Sequence, residues 1–270
     1  MDPLIAPSIV TLTTDFGLTD HYVGTMKGVL LTRCPHAQLV DISHEIPPYS
    51  IAAGAYTIGQ AAPYFPSGAI HVVVVDPGVG TARKPILLEA SGQFFIAPDN
   101  EVLSLISGGD QHATAREITN RVLWMPSPSN TFHGRDVFAP VAAALAARAA
   151  RADQVGPILD KIEKLPGLHP EQIDKDTWRG SILSVDHFGN VITSFRAGAF
   201  QQITHDAFTL EVGKHKIGSF RTTFGAAAGD HCFAYFGSGG YIEIGINQGS
   251  AAALLGVKPG ETALLRVTIV

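Results

Sequence analysis

Residues 71–83 read HVVVVDPGVGTAR, and the four consecutive valines leave no polar position on either face of an extended chain. Such a run predicts a strand buried on both sides, in a sheet covered by helices. Pro77 and Gly78 stop the ladder and Gly80 loosens the turn, which sets Asp76 at the carboxyl edge of a central strand. Open α/β sheets keep their ligand crevices at that edge. Upstream, residues 8–13 (SIVTLT) have strand composition, and Val23, Met26, Val29 and Leu30 then recur at helical spacing. Thr19 or Asp20 is placed to cap that helix. Residues 38–42 form a second short strand, and Ile51, Ala55, Ile58 and Ala62 give residues 50–64 a helical face. Strand and helix alternating in this order require a mainly parallel sheet with right-handed crossovers. Residues 85–89 and 93–97 read as a hairpin, followed by Pro98, Asp99, Asn100 and a short helical run to Ile106. Residues 131–136 (TFHGRD) open an alanine-rich helix with Phe138, Val141 and Leu145 on one face.

The pattern changes in the second half. Residues 150–177 lose periodicity and gather Pro157, Pro166, Gly167 and Pro170, which reads as a linker. Beyond it, residues 181–185, 191–195, 207–212, 231–236, 241–246 and 263–270 are short strand-like runs between glycine or polar turns. They suggest a small antiparallel barrel or sandwich. The fold class is therefore α/β: a mainly parallel α/β/α sandwich over residues 1–156, a linker over 157–179, and a smaller antiparallel β-barrel domain over 180–270.

Composition adds an assembly to this picture. Only 16% of the 270 residues are charged against 46% hydrophobic, where about 25% charged is usual for a soluble chain. No apolar run approaches the roughly 18 residues of a membrane helix, so a subunit interface is the expected sink for apolar surface. The net charge of -5 and the lack of a basic cluster argue against nucleic acid. Cys34 and Cys232 match no metal spacing and suit reduced thiols in a cytoplasm. The start, MDPLIAPS, lacks the form of a signal peptide.

Candidate chemistry gathers at the turns. Asp15 and Asp20 flank a glycine turn between a strand and a helix. Asp15-Phe16-Gly17 also occurs in protein kinases, but no accompanying kinase motif is present. Residues 78–83 (GVGTAR) carry arginine where a dinucleotide fingerprint needs its third glycine. His133, just ahead of a helix, meets the positive end of the helix dipole, which favours the neutral ring. In the second half, DHFGN (186–190) and SGGYIEIGIN (238–247) are turn motifs compatible with simple hairpins.

Taken in order, TTDFGLTDHYVG, VVVVDPGVGTAR, IAPDNEV, FHGRDVFAP, DHFGNVIT and SGGYIEIGIN resemble the S-adenosylmethionine hydrolases (SAM hydroxide adenosyltransferases) and their relatives, the fluorinating and chlorinating adenosine synthases. The resemblance runs from about Ile9 to the carboxyl end. It implies a homotrimer with each active site between the first domain of one chain and the second domain of its neighbour. It also implies that Asp15 holds the ribose hydroxyls and that Asp20 and Asp186 meet the methionine ammonium. Phe188 and Asn190 would take the adenine, with Ser238 near the methionine carboxylate. Asp76, Arg83 and His133 align with the hydrolase triad around a nucleophilic water. The fluorinating enzymes carry tyrosine where Asp76 and His133 stand and serine in place of Gly134.

The chemistry asks for these residue types independently. Departure of methionine from a sulfonium needs no acid, so only water needs help, and a carboxylate can orient it and accept its proton. Arg83 can hold that carboxylate ionised, and His133 can bond the same water. The products would be adenosine and methionine, with no metal or cofactor required. A fixed carboxylate would repel a halide by about 4 kcal/mol at 4 Å with an effective dielectric near 20. Halide adenosyl transfer therefore ranks below hydrolysis. Two further alternatives are a metal-dependent hydrolase using pairs such as His133 with Asp136, Asp186 with His187 and His205 with Asp206, and a non-catalytic binder of S-adenosylmethionine or adenosine. The first lacks organised ligand spacing, and the second leaves Asp76, Arg83 and His133 without a task.

Overall fold

The computed structural model describes residues 8–226 and 231–268. Residues 1–7 of the amino-terminal stretch and residues 269–270 of the last expected strand lie outside the described residues. Two compact units, Met1–Lys164 and Leu165–Val270, divide the chain.

The first unit runs β1 (Ile9–Thr14), α1 (Tyr22–Arg33), β2 (Gln38–Ser43), α2 (Ile51–Ala61), β3 (Ile70–Val74), β4 (Pro85–Ala90), β5 (Gln93–Pro98), α3 (Ser104–Gly109), β6 (Thr114–Glu117), α4 (Ala139–Ala146) and β7 (Ile158–Leu159). Its sheet has the order β2-β1-β3-β5-β4-β6-β7. The pairs β2/β1, β1/β3 and β3/β5 are parallel, and the β4/β5 hairpin with β6 and β7 extends the sheet antiparallel. The sheet is thus mixed, with its parallel half built from the strand-helix-strand alternation.

Strand β3 shows why the valine run is apolar throughout. Val72 and Val74 join Met26, Leu30, Val141 and Ala142 on one side of the sheet, while Val73 and Val75 join Ala53, Ile58, Leu88 and Phe95 on the other. Each buried side chain of this size stabilises the fold by about 1.5–3 kcal/mol, and an aspartate at Val72 would break both the core and the strand.

Two local features depart from the sequence pattern. Neither Thr19 nor Asp20 caps α1: the cap position is His21, without a side-chain cap, and Asp20 is exposed outside the helix. The reason is that the first helical hydrogen bond, from the Thr25 amide, closes on the His21 carbonyl (2.8 Å), which also accepts the Thr25 hydroxyl (2.9 Å). The helix expected from residue 133 begins as a single π turn, Gly134–Phe138, before α4. Buried Asp136 anchors that turn, accepting Arg135 Nε (2.6 Å) and Nη2 (2.8 Å) and the Ser129 amide (2.8 Å). Such turns concentrate at functional sites.

The second unit runs β8 (Glu171–Asp174), β9 (Thr177–Val185), β10 (Val191–Arg196), β11 (Ala207–Val212), β12 (His215–Ile217), β13 (Phe233–Phe236), β14 (Tyr241–Gly245), α5 (Ala251–Leu255) and β15 (Thr262–Thr268). The order β12-β11-β15-β9-β10-β14-β13, with β8 on β9, is antiparallel throughout. Past β12, Phe220 bridges Ala234 of β13, so the two sheet edges meet and the barrel nearly closes. Ile182, Phe195, Leu210, Ile242 and Leu265 fill it. Residues 157–179, expected as a linker, carry β7 on the first unit and β8 on the second. Among the described residues no helix is long and apolar enough to cross a membrane.

Candidate active site

Asp76 stands two residues beyond β3. The Asn100 side chain donates to the Val75 carbonyl (2.8 Å), fastening the strand's end, and the Thr81 hydroxyl donates to the Gly78 carbonyl (2.7 Å), folding the following turn back. Arg83 is thereby returned onto Asp76 as a fork: Nε donates to Oδ1 (3.0 Å) and Nη2 to Oδ2. The two side chains are only 8% and 5% exposed, so water screens the pair little. Gly80 has φ +77°, and a Cβ on it would lie 2.4 Å from the Asn130 carbonyl oxygen. Glycine here lets the turn touch the loop that leads to His133.

The third group completes the cluster. Arg83 Nη2 also donates to His133 Nδ1 (2.7 Å), so Asp76, Arg83 and His133 are brought together within one unit. Because a guanidinium only donates, Nδ1 is the acceptor and the ring's proton belongs on Nε2. Burial, and then the Arg83 charge, hold the His133 pKa below its ordinary value, against smaller opposing pulls from Asp76 and Asp136. The neutral ring expected from a helix dipole thus has other main causes. Arg83 Nη1 is buried and has no hydrogen-bond partner among the described residues. A sealed donor of this kind carries an unmet cost of about 1–3 kcal/mol.

Asp15 follows β1 and lies near enough to feel this cluster. Its pKa is raised, chiefly by burial, with the Asp76 charge adding and the Tyr49 amide opposing. The Tyr49 amide donates to Asp15 Oδ2 (2.8 Å). Tyr49 was not a sequence candidate, yet it is an exposed aromatic at φ +67°, a strained conformation for a bulky side chain. The Pro47-Pro48 step before it is the one sequence signal of an unusual turn. Asp20 makes no hydrogen bond to any described residue.

The remaining candidates lie in the second unit. Asp186 Oδ1 accepts the amides of Phe188 (3.0 Å) and Asn190 (2.8 Å), and Oδ2 accepts Asn190 Nδ2 (2.7 Å). Gly189, at φ +85°, allows this turn to press on the start of α5: a Cβ there would lie 2.1 Å from Ser250 Oγ. The contact sets Phe188 and Asn190 beside residues 246–249, and a cavity of about 450 Å³ opens between Phe188, Asn190, Phe224, Ile246, Asn247 and Gln248. Phe224 lies outside every sequence motif, while Asn247 ends the 238–247 run and Gln248 follows it without any feature that sets them apart as site residues. Ser238 is exposed in the turn between β13 and β14. Glu243, also missed, is buried and accepts the Tyr235 hydroxyl (2.5 Å).

A larger cavity of about 650 Å³, beside Glu89, Arg116 and Arg148, holds none of the candidates. Among the described residues no group of three or more His, Cys, Asp or Glu side chains is placed to hold a metal ion.

The chain as a whole has counterparts among known proteins. A conserved protein of Thermotoga maritima has a structure matching 96% of this chain and 99% of its own, with TM-score 0.83 and 36% identity. A conserved Thermus thermophilus protein matches over 97% and 100%, with TM-score 0.75 and 34% identity. In sequence, the chain is 38% identical to the (R)-S-adenosyl-L-methionine hydrolase of Salinispora tropica, covering 96% of this chain and 97% of the relative. The enzyme of that name from Thermus thermophilus is also 38% identical, over 92% and 95%. A fluorinase of Nocardia brasiliensis is 26% identical over 96% and 97%. Residues 10–156 match the SAM hydroxide adenosyltransferase N-terminal domain, and residues 180–263 match the C-terminal domain. With both domains present in order and the hydrolases nearer in sequence than this fluorinase, the chain belongs to the SAM hydroxide adenosyltransferase family.

Proposed function

We propose that this protein hydrolyses S-adenosyl-L-methionine to adenosine and L-methionine by attack of water on C5′ of the ribose. The observation that carries the reading is the Arg83 guanidinium joining the Asp76 carboxylate to the unprotonated Nδ1 of His133. With Nδ1 accepting from Arg83, His133 can offer only its Nε2–H, a donor for the oxygen of water. Asp76 is then the base: the attacking water bonds C5′, its proton passes to the carboxylate, and the C5′–S electron pair leaves with methionine. Attack by an oxygen gaining negative charge on a sulfonium annihilates charge, which a water-poor site favours. The chemistry asks for no metal and no cofactor.

In this reading Asp15 holds the ribose diol, Asp20 and Asp186 meet the methionine ammonium, Phe188 and Asn190 take the adenine, and Ser238 lies by the methionine carboxylate. It extends to a homotrimer in the cytoplasm, its sites completed between subunits. Exposed Leu18, Tyr22, Tyr49 and Phe188 support an assembly, and free Cys34 and Cys232 suit a reducing compartment. The relatives' names specify the (R) sulfonium. The test is chromatography of chelator-treated enzyme incubated with each sulfonium epimer, with and without chloride. Adenosine and methionine are expected. Formation of 5′-chloro-adenosine in place of adenosine, or dependence on added metal, would reject the reading, and sedimentation at the mass of a monomer would reject the trimer.

A further inference from the structure

We propose that Asp186 is a positioning residue: it fixes the polarity of the Asn190 side-chain amide, and so makes the pocket of the second unit select a flat heterocycle with an amino group on its edge, a 6-aminopurine, over a 6-oxopurine. The proposal rests on reading that pocket as the purine site.

Two backbone amides, of Phe188 and Asn190, hold Asp186 Oδ1 at 3.0 and 2.8 Å and so pin the whole carboxylate. Its other oxygen, Oδ2, lies 2.7 Å from the Asn190 side-chain amide. A carboxylate accepts and does not donate, so only the NH2 end of Asn190 can face it. The carbonyl end must therefore face the other way. Asn190 Oδ1 receives no hydrogen bond from any described residue. It borders the same small space over Gly245 that the Phe224 ring borders, at 3.0 and 2.8 Å from the point a Cβ would occupy. Asn190, Phe188 and Phe224 all line the cavity of about 450 Å³.

An aromatic-walled cavity accepts any flat base, since every base has a stacking face. Selection falls to the polar edge. An acceptor fixed at that edge pairs with the N–H of a 6-amino group, whereas a 6-oxo group meeting it sets two acceptors against each other. One such mismatch corresponds to about tenfold or more in affinity. Replacing Asp186 by asparagine keeps the pinned geometry if its oxygen stays on the two backbone amides. Its NH2 then faces Asn190, which must turn its own oxygen inward and present NH2 to the cavity.

The test is calorimetric binding of adenosine and inosine, which carry neither ammonium nor sulfonium, to the full-length protein and to Asp186→Asn. The wild type is expected to bind adenosine at least tenfold more tightly, and Asp186→Asn to move the ratio at least tenfold toward inosine. Asp186→Ser, whose hydroxyl can still accept the turn amides while releasing the Asn190 side chain, should bring the ratio toward parity and serves if the asparagine variant does not fold. Were Asp186 only a partner of the methionine ammonium, or only a turn former, neither substitution would shift this ratio, and an unchanged ratio overturns the proposal. Equal binding of both nucleosides by the wild type overturns it while leaving the purine pocket standing. Binding of neither overturns the pocket reading and the proposal together.

Discussion

The two side-chain clusters, one in each unit, are built on opposite plans. In the first unit, Asp76 and Arg83 meet His133 from fifty residues away, and the ion pair is sealed to 5% and 8% exposure. In the second, one five-residue turn organises itself around Asp186 and leaves Phe188 75% exposed. Moving a proton needs groups already desolvated and aimed, because a loose carboxylate is shielded by water and must be reorganised at the moment of reaction. Holding a flat base needs the reverse, an aromatic face kept open until the ligand covers it. In the proposed reading, depth and long-range assembly go with the chemistry, and local order with exposure goes with recognition.

The strongest way to break this contrast is at Asp76. Asp76→Asn keeps the side chain's shape and one of its two hydrogen bonds from Arg83 while removing the base, so kcat should fall about 10²- to 10⁴-fold while adenosine affinity changes little. Alanine is the poorer choice, since stripping the partner from a buried guanidinium costs about 3–5 kcal/mol of stability. Turnover by Asp76→Asn at the wild-type rate would remove Asp76 as base. A parallel loss of adenosine binding would erase the division of labour.

Phe188 probes the other side. As an exposed side chain its removal should alter stability by no more than about 0.5 kcal/mol, yet base-aromatic stacking is worth about 1–3 kcal/mol. Phe188→Ala should therefore raise KM by about 5- to 100-fold with kcat nearly unchanged. A fall in kcat with KM intact would instead put Phe188 in the chemical step.

The same contrast explains what could be read without coordinates. The valine run and the strand-helix alternation carry the parallel half of the first sheet, because burial on both faces leaves a one-dimensional trace. The motif at 186–190 is legible for a similar reason: its hydrogen bonds span four residues. The Asp76-Arg83-His133 contact was suggested only by the family resemblance, since Gly80 touching Asn130 is a tertiary event with no periodic signature. Strands β6, β7, β8 and β12 and helix α5 are two to five residues long, too short to establish a period. The Asp20 cap failed because Asp20 and His21 compete for one position, and the hydrogen bond to the His21 carbonyl decided it. Buried Glu243 gave no signal, for its neighbours Tyr241, Ile242 and Ile244 read as an ordinary strand.

The mildest test compares the units by their response to acid. His71, on β3, is fully buried, with Nδ1 2.7 Å from the Thr11 hydroxyl and its ring stacked on Phe95 at 4.7 Å. Burial lowers its pKa to about 4 from an ordinary 6.5. Between those values the unfolded chain binds the proton and the folded chain does not, so this contribution is whole above pH 6.5 and is lost as the pH falls toward 4. From pH 7 to 5.5 the loss is about 1 kcal/mol. Glu243 in the second unit runs the other way. Burial first, and the Asp186 charge next, raise its pKa above 4.5 despite the Tyr235 hydrogen bond, so its folded state holds the proton more tightly and its contribution grows as the pH falls. Hydrogen exchange resolved by unit should therefore show the first unit's protection weakening over this interval while the second holds. His71→Phe should reduce the first response, leaving the part that belongs to His133, whose pKa is also lowered, at a cost near 1 kcal/mol for the Thr11 hydroxyl left without its partner. If both units weaken alike, and still do so with phenylalanine at position 71, then His71 is not the group that makes the unit carrying Asp76 the acid-sensitive one.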